Sequence, residues 1–242
     1  MGERREACPI DLQIGLLAWI TNLLHLDEDG ATTWSDSTFP DTCPIWRVFE
    51  VLQEHTKPRI MVEKSPSSAE EVCYMEHADA IFGDLAKYVH LIRHPYACID
   101  SWIQLSYEWF GVEGVLWGDI ELGYRHINIS AHHFLKDVDN QSKLVLTYEA
   151  MVSDAKISTQ DICHLIGVEW SEAMMYPYDS SESLVSFMSQ RSDQRVTTDP
   201  KLFARKSIDP KQADKWRKVN VPQPLDVLTI KLAENFGYSF EV

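Results

Sequence analysis

Three short apolar segments, each of the length of a strand, recur along the chain. They are Arg59–Glu63, Tyr88–Ile92 and Lys143–Tyr148. Short, partly β-branched apolar runs are typical of strands that are buried in a parallel sheet. We therefore predict that these three segments are neighbouring strands of one sheet.

Between the strands, apolar residues recur every three or four positions, as they do in amphipathic helices. Ile99, Trp102 and Ile103 have this spacing within a helix predicted over 96–110, and Pro95 precedes it at the usual entry position. The other predicted helices are residues 9–26, 45–55, 67–82, 119–138, 157–165 and 225–237, and loops are expected over 30–44 and 171–198. This alternation predicts an α/β fold, a parallel sheet with helices on both faces, in a single domain spanning 1–242.

The composition of the chain makes some kinds of binding partner unfavourable. The chain has 242 residues, 45% of them hydrophobic, and a net charge of −15. Such a charge disfavours nucleic acid or an anionic membrane as a partner, because a polyanion would be repelled. No apolar run approaches the roughly 20 residues that cross a bilayer, and the apolar residues 14–24 are followed by acidic residues where a signal peptide would be cleaved.

Cysteine and histidine usage adds two expectations. Five cysteines without a Cys-x-x-Cys motif indicate reduced thiols and a cytoplasmic protein. His126, His132 and His133 fall on one predicted helix, but adjacent helical residues point about 100° apart and no zinc-protease pattern accompanies them. We therefore expect no metal site.

The candidate chemistry lies where the Tyr88–Ile92 strand meets the following helix. Arg93 occupies the turn, and Ser101 follows two turns into the helix. A guanidinium beside a helix N-terminus is a suitable anion site, since the backbone N–H groups and the positive end of the helix dipole point the same way. The alternative is that Arg93 forms a surface ion pair and Ser101 is a solvated hydroxyl.

Several motifs resemble one enzyme family. Arg93-His94-Pro95 followed by Ser101 resembles the segment with which sulfotransferases hold the 3′-phosphate of their donor, 3′-phosphoadenosine 5′-phosphosulfate (PAPS), and is most similar to the sulfotransferase domains of bacterial olefin-forming polyketide synthases. Glu63-Lys64-Ser65-Pro66 resembles a second family element, and residues 147–154 resemble a third, with Thr147 in place of the usual Arg. The resemblance extends over nearly the whole chain from about residue 10.

The resemblance implies a P-loop NTPase-like sulfotransferase fold, PAPS as donor, no metal, and transfer of sulfonate to a hydroxyl. In the resembled subfamily the acceptor is a β-hydroxyacyl chain on an acyl carrier protein in polyketide biosynthesis. The residues it assigns are Arg93 and Ser101 at the 3′-phosphate, Lys64 at the transferred group, Arg205 and Lys206 over the nucleotide, and Glu63 or His94 as the base. Carrier proteins are usually acidic, so docking one on this chain requires a local basic patch.

One family element is absent from the sequence. Sulfotransferases open with a strand and a Pro-Arg-Ser-Gly-Ser/Thr phosphate loop, and no segment here matches it. The fold is therefore expected without its first strand and phosphate loop, either as a fragment or as a degenerate copy. The alternative function is an inactive remnant that serves as a binding or scaffold domain. A kinase is disfavoured because the sequence has no Gly-x-x-x-x-Gly-Lys-Ser/Thr.

Overall fold

A computed structural model describes the chain at residues 17, 20, 21, 23–40, 42–64, 66–110, 114–179 and 206–240. These residues form two compact units. The first contains the described residues up to Lys64, and the second contains those from Pro66 onwards. The expectation of a single domain stays a prediction.

The first unit is helical. Helix α1 spans Glu28–Thr38 and helix α2 spans Ile45–Thr56, the second as predicted. Their core contains Phe39, Val48 and Leu52. Of the helix predicted over residues 9–26, the described residues at 17, 20, 21, 23 and 24 are helical, His25 and Leu26 are not, and the remainder lies outside the described residues.

Helix α1 corrects the loop predicted over residues 30–44. Asp27 begins the helix because its carboxylate accepts the Gly30 N–H at 2.8 Å. Ala31 is fully buried and Trp34 half-buried, while the intervening Ser, Thr and Asp residues are mostly exposed. The helix thus has a narrow apolar stripe in a polar composition, which is why the sequence pattern resembled a loop.

The strand predicted at Arg59–Glu63 is also wrong, since this segment has no regular secondary structure. In the described part of the chain, the sheet has two strands, formed by two other segments, and neither strand pairs with residues 59–63. Ile60 and Val62 are 47% and 82% exposed. An apolar run forms a stable strand only where a neighbour takes up its backbone hydrogen bonds.

The second unit contains the sheet. Strands β1 (Tyr88–Ile92) and β2 (Lys143–Thr147) are parallel, in a register that pairs Tyr88 with Lys143 and Ile92 with Thr147. This confirms two of the predicted strands and the α/β fold class. The two strands are joined through helices α4 (Pro95–Phe110) and α5 (Trp117–Asp137), as a parallel pair requires a long crossover.

The remaining elements surround this crossover. The α-helices are α3 (Val72–Phe82), α6 (Tyr148–Ser153), α7 (Ala155–Ile166) and α8 (Val227–Glu234), and 3-10 helices span Pro66–Ala69, Gly83–Leu85, Glu172–Met175 and Pro210–Lys218. Strand β2 ends one residue earlier than predicted because the Thr147 hydroxyl accepts the Ala150 N–H at 3.2 Å and so begins α6. The buried core joins β1, α4, α5 and the C-terminal segment through Ile92, Ile99, Trp117, Tyr124 and Leu225.

Side chains from distant elements hold the turn between β1 and α4. The Glu149 carboxylate, on α6, accepts the His94 N–H at 3.0 Å and the Tyr238 hydroxyl proton at 2.6 Å. The Tyr124 hydroxyl, on α5, donates to the Arg93 carbonyl at 3.0 Å. Each bond satisfies a polar group in the half-buried turn. The turn is therefore fixed by α5, α6 and the C-terminal residues together.

The side chain of His94 is buried beneath the C-terminal segment. It is 1% exposed, and its ring stacks on Trp216 with the ring centroids 4.0 Å apart and the planes 7° from parallel. The rings of Tyr238 and Phe240 lie within 5.3 Å. Burial, with a smaller contribution from the Arg217 charge, lowers the pKa of His94 to about 4. The imidazole is therefore neutral at physiological pH.

We predict that Glu149→Ala lowers the free energy of unfolding by about 2–4 kcal/mol, because two hydrogen bonds to a charged acceptor are lost and both donors stay half-buried. Urea unfolding followed by circular dichroism measures the change. The matched control Glu169→Ala removes an exposed carboxylate and should change the value by less than about 0.5 kcal/mol. Equal effects in the two variants would show that the Glu149 contacts contribute little.

The lowered pKa of His94 also predicts that the stability of the fold depends on pH. Because its folded pKa is lowered, the unfolded chain takes up the proton first, so stability is retained above the unfolded pKa of 6.5 and lost as pH falls towards 4. Between pH 7 and pH 5 the wild type should lose about 2 kcal/mol more than His94→Phe, whose ring keeps the stack on Trp216. Unfolding at both pH values tests this, with exposed His133→Gln as the control that should follow the wild type.

Candidate functional site

Arg93 is the charged residue of the site, and its surroundings fix its direction. Its guanidinium carbon lies 4.7 Å from the centroid of the Tyr148 ring, a cation–π contact. Its Nε atom is buried and has no hydrogen-bond partner within the described residues. A buried guanidinium N–H without an acceptor is unfavourable. The side chain is thus placed where an anionic ligand would supply the missing acceptor.

Arg93 and Ser101 line the same pocket. It has a volume of about 90 Å³ and is bounded by these two residues together with Cys98, Trp102 and Leu105. Cys98, Ser101, Trp102 and Leu105 lie on one face of α4. Residues three or four positions apart are neighbours on the surface of a helix, as Cys98 is to Ser101 and Trp102. Burial raises the pKa of the Cys98 thiol to about 11, so its sulfur is uncharged at neutral pH. The charge in this pocket is therefore the positive charge of Arg93.

The N-terminus of α4 offers fewer free N–H groups for binding an anion than the sequence predicted. The Tyr96 N–H donates to His94 Nδ1 at 3.3 Å, and the Cys98 N–H donates to the His94 carbonyl at 3.0 Å. Pro95 has no N–H to offer. Three of the first four helical residues thus have no free amide for an anion. Arg93 is therefore a stronger candidate for holding one than the helix dipole.

The other predicted site residues are not among those that line this pocket in the part of the second unit that the structure describes. Glu63 and Lys64 are exposed and end the first unit, so their approach to Arg93 stays a prediction. Lys206 is exposed in the second unit, and Arg205 lies outside the described residues. His94 neighbours Arg93 in sequence, but its ring is buried among aromatic side chains. The structure thus brings together Arg93 and Ser101, the pair that was predicted to share a phosphate.

Sequence reasoning missed four residues around the pocket and its turn. Tyr148 follows the β2 strand, as Arg93 follows β1, and parallel strands end at the same edge of a sheet, so this pair was detectable. Cys98 and Leu105 share a helical face with Ser101 and were detectable as well. The contact of Trp216 with His94 joins residues more than 120 positions apart, and no local sequence pattern predicts it.

Two further features concern metals and membranes. In the ranges that the structure describes, no group of three or more His, Cys, Asp or Glu side chains is arranged to hold a metal ion. Of the three histidines noted in the sequence, His126 approaches Glu71 at 3.9 Å and His132 contacts the Phe236 ring. Among the helices of the described residues, none combines the length and the apolar character that a bilayer span needs.

The sequence of the chain and its fold are both similar to those of known sulfotransferases. A family model described as "Sulfotransferase family" matches residues 33–172, more than half of the chain. This range includes Glu63, Lys64, Arg93, His94 and Ser101. A search of curated proteins gives no match.

Two solved structures are similar to the chain. The sulfotransferase domain from the Synechococcus PCC 7002 olefin synthase is 30% identical, with a TM-score of 0.82, and the match covers 98% of this chain and 80% of that domain. The sulfotransferase domain from the curacin biosynthetic pathway is 23% identical, with a TM-score of 0.79 over 99% of this chain and 84% of that domain, and at this identity it supports the fold. These findings confirm the predicted resemblance, and the chain belongs to the sulfotransferase family.

Proposed function

We propose that the chain binds PAPS and transfers its sulfonate group to a hydroxyl acceptor. The observation that carries this proposal is the pocket shared by Arg93 and Ser101. The Arg93 side chain also has an unused donor, since its buried Nε has no partner among the described residues. A phosphate group supplies the acceptor oxygens that this pocket lacks. Membership of the family gives the class of reaction.

The residues of the pocket fit a phosphate for three reasons. A guanidinium binds phosphate through parallel N–H bonds, and the Ser101 hydroxyl can donate a further one. The Tyr148 ring restrains the plane of the guanidinium, so less conformational entropy is lost on binding. The high pKa of Cys98 keeps a second negative charge out of the pocket. In this proposal the pocket takes the 3′-phosphate of the donor.

In the proposed reaction, the acceptor oxygen forms a bond to sulfur while the bond from sulfur to the donor's bridging oxygen breaks. Negative charge grows on that bridging oxygen, and the proton of the acceptor hydroxyl passes to a base. Lys64 is our candidate for stabilising this charge, because a fixed ammonium acts most where charge develops. Arg205 and Lys206 are our candidates for contacts over the nucleotide.

Between the two candidate bases, the packing favours Glu63. His94 is 1% exposed, its Nδ1 already accepts the Tyr96 N–H, and its pKa of about 4 makes it a weak base. Glu63 is exposed and adjoins Lys64 in sequence. We therefore propose Glu63 as the base and a structural role for His94 in holding the Arg93 turn.

The acceptor that we propose is a β-hydroxyacyl chain on an acyl carrier protein. The support is the similarity to sulfotransferase domains of an olefin synthase and of the curacin biosynthetic pathway. Such synthases carry their intermediates on carrier proteins. A cytoplasmic location, predicted from the cysteines, agrees with this setting and stays a prediction.

A second candidate is an inactive remnant that binds the nucleotide product without catalysing transfer. No segment of the 242 residues matches the Pro-Arg-Ser-Gly phosphate loop, and a remnant needs no such loop to hold the product at Arg93. Both candidates keep the Arg93 pocket, and they differ in turnover. Binding of adenosine 3′,5′-bisphosphate without sulfonate transfer would identify the remnant.

We predict that Arg93→Ala weakens the binding of adenosine 3′,5′-bisphosphate by more than about tenfold, since a charged hydrogen bond contributes roughly 1.5–3 kcal/mol. Isothermal titration calorimetry measures the dissociation constant. The control is Arg47→Ala, which removes an exposed arginine of the first unit that pairs with Glu50. Unchanged affinity in folded Arg93→Ala would contradict the 3′-phosphate assignment.

We also predict that Lys64→Met lowers the rate of sulfonate transfer by about 100-fold or more, because it removes a charge that acts on the transition state. Transfer of ³⁵S from labelled PAPS to a β-hydroxyacyl pantetheine measures the rate. The affinity for the bisphosphate, which lacks the sulfonate, should change by less than about threefold. A variant that is as active as the wild type would exclude Lys64 from catalysis.

A further inference from the structure

A short segment of the second unit has a charge opposite to that of the whole chain. Residues 206–218, which we call the basic segment, contain five basic and two acidic side chains, whereas the chain has a net charge of −15. The basic residues are Lys206, Lys211, Lys215, Arg217 and Lys218, and the acidic ones are Asp209 and Asp214. A local patch of this kind attracts anions that the remainder of the chain repels.

Much of this charge is available to a partner. Arg217 is committed to contacts within the segment, since it pairs with Asp214 at 2.9 Å and lies over the Trp216 ring. Lys211 and Lys218 are exposed, and no ion pair engages their ammonium groups in the part of the chain that the structure describes. These two lysine charges therefore face the solvent, while Lys206, which is also exposed, stays our candidate for the nucleotide.

The basic segment is attached to the turn that carries the pocket. Residues Pro210–Lys218 form a 3-10 helix, and its Trp216 stacks on His94, the residue after Arg93. The carboxylate of Asp209 begins this helix by accepting the Lys211 N–H at 3.0 Å. The lysines are thus presented on a fixed element that contacts the turn of the proposed donor site.

The spread of the lysines indicates the size of the partner. A 3-10 helix rises about 2.0 Å per residue, so Lys211 and Lys218 are separated by about 14 Å along its axis. A single phosphate group is far smaller than this separation. Two positive charges this far apart fit the surface of an acidic protein better than one end of a nucleotide.

We propose that Lys211 and Lys218, on the 3-10 helix of the basic segment, form the docking surface for the acidic carrier protein that presents the acceptor chain. This inference rests on the proposed function, which supplies the carrier protein as a partner. Complementary charge at this segment steers an acidic partner towards the Arg93 turn and away from the negatively charged remainder of the surface. The acceptor would then arrive beside the element that holds the donor.

The test is a titration of the full chain with a fluorescently labelled holo acyl carrier protein, read by anisotropy at low salt. Lys211→Glu combined with Lys218→Glu should weaken binding by about tenfold or more, and added salt should weaken wild-type binding. The matched control, Lys136→Glu combined with Lys231→Glu, makes the same charge change at exposed positions on α5 and α8 and should weaken it by less than about threefold.

Two results would overturn the docking proposal: equal weakening of carrier binding in both double variants, or no measurable carrier binding by the wild type.

Calorimetry with adenosine 3′,5′-bisphosphate distinguishes failure of the docking proposal from failure of the proposed function. The Lys211 and Lys218 variant should keep wild-type affinity for the bisphosphate. If it loses that affinity while carrier binding is unchanged, the segment serves the nucleotide and the docking proposal is wrong. If the wild type does not bind the bisphosphate, the proposed function itself fails.

Discussion

One carboxylate, that of Glu149, accepts hydrogen bonds from two parts of the chain that are far apart in sequence. One bond comes from the backbone of the turn at His94 and the other from the hydroxyl of Tyr238 near the C-terminus. A half-buried carboxylate needs such donors to offset its lost hydration. Because one side chain satisfies both, the end of β1, the start of α6 and the C-terminal residues are held in one arrangement, and the direction of Arg93 depends on it.

The aromatic packing around the turn follows from the same arrangement. Tyr238, held by Glu149, contacts the His94 ring, and Trp216 covers its face. Burial keeps the imidazole neutral, so His94 adds no positive charge beside Arg93. The polar chemistry of the turn is thereby concentrated in one guanidinium, while the histidine contributes shape and packing.

Charge is distributed unevenly over this acidic protein. A ligand with phosphate groups meets an unfavourable field over most of a chain with a net charge of −15. Arg93 in its pocket and the lysines of the basic segment are local exceptions, and Trp216 joins their elements through His94. In our proposals Arg93 serves the nucleotide donor, and Lys211 and Lys218 of the basic segment serve the acidic carrier of the acceptor.

The sequence by itself determined the strand at 88–92, the strand that begins at 143 to within one residue of its end, the helices between them, the family, and the pairing of Arg93 with Ser101 in one pocket, because each depends on residues close together in the chain. It misassigned α1, whose apolar stripe is sparse, and residues 59–63, because an apolar run becomes a strand only beside a partner. The tertiary structure alone decided that His94 is buried and that the C-terminal segment covers the turn. These contacts join residues up to about 140 positions apart, and such pairs are selected by packing and burial of the folded chain rather than by any local pattern.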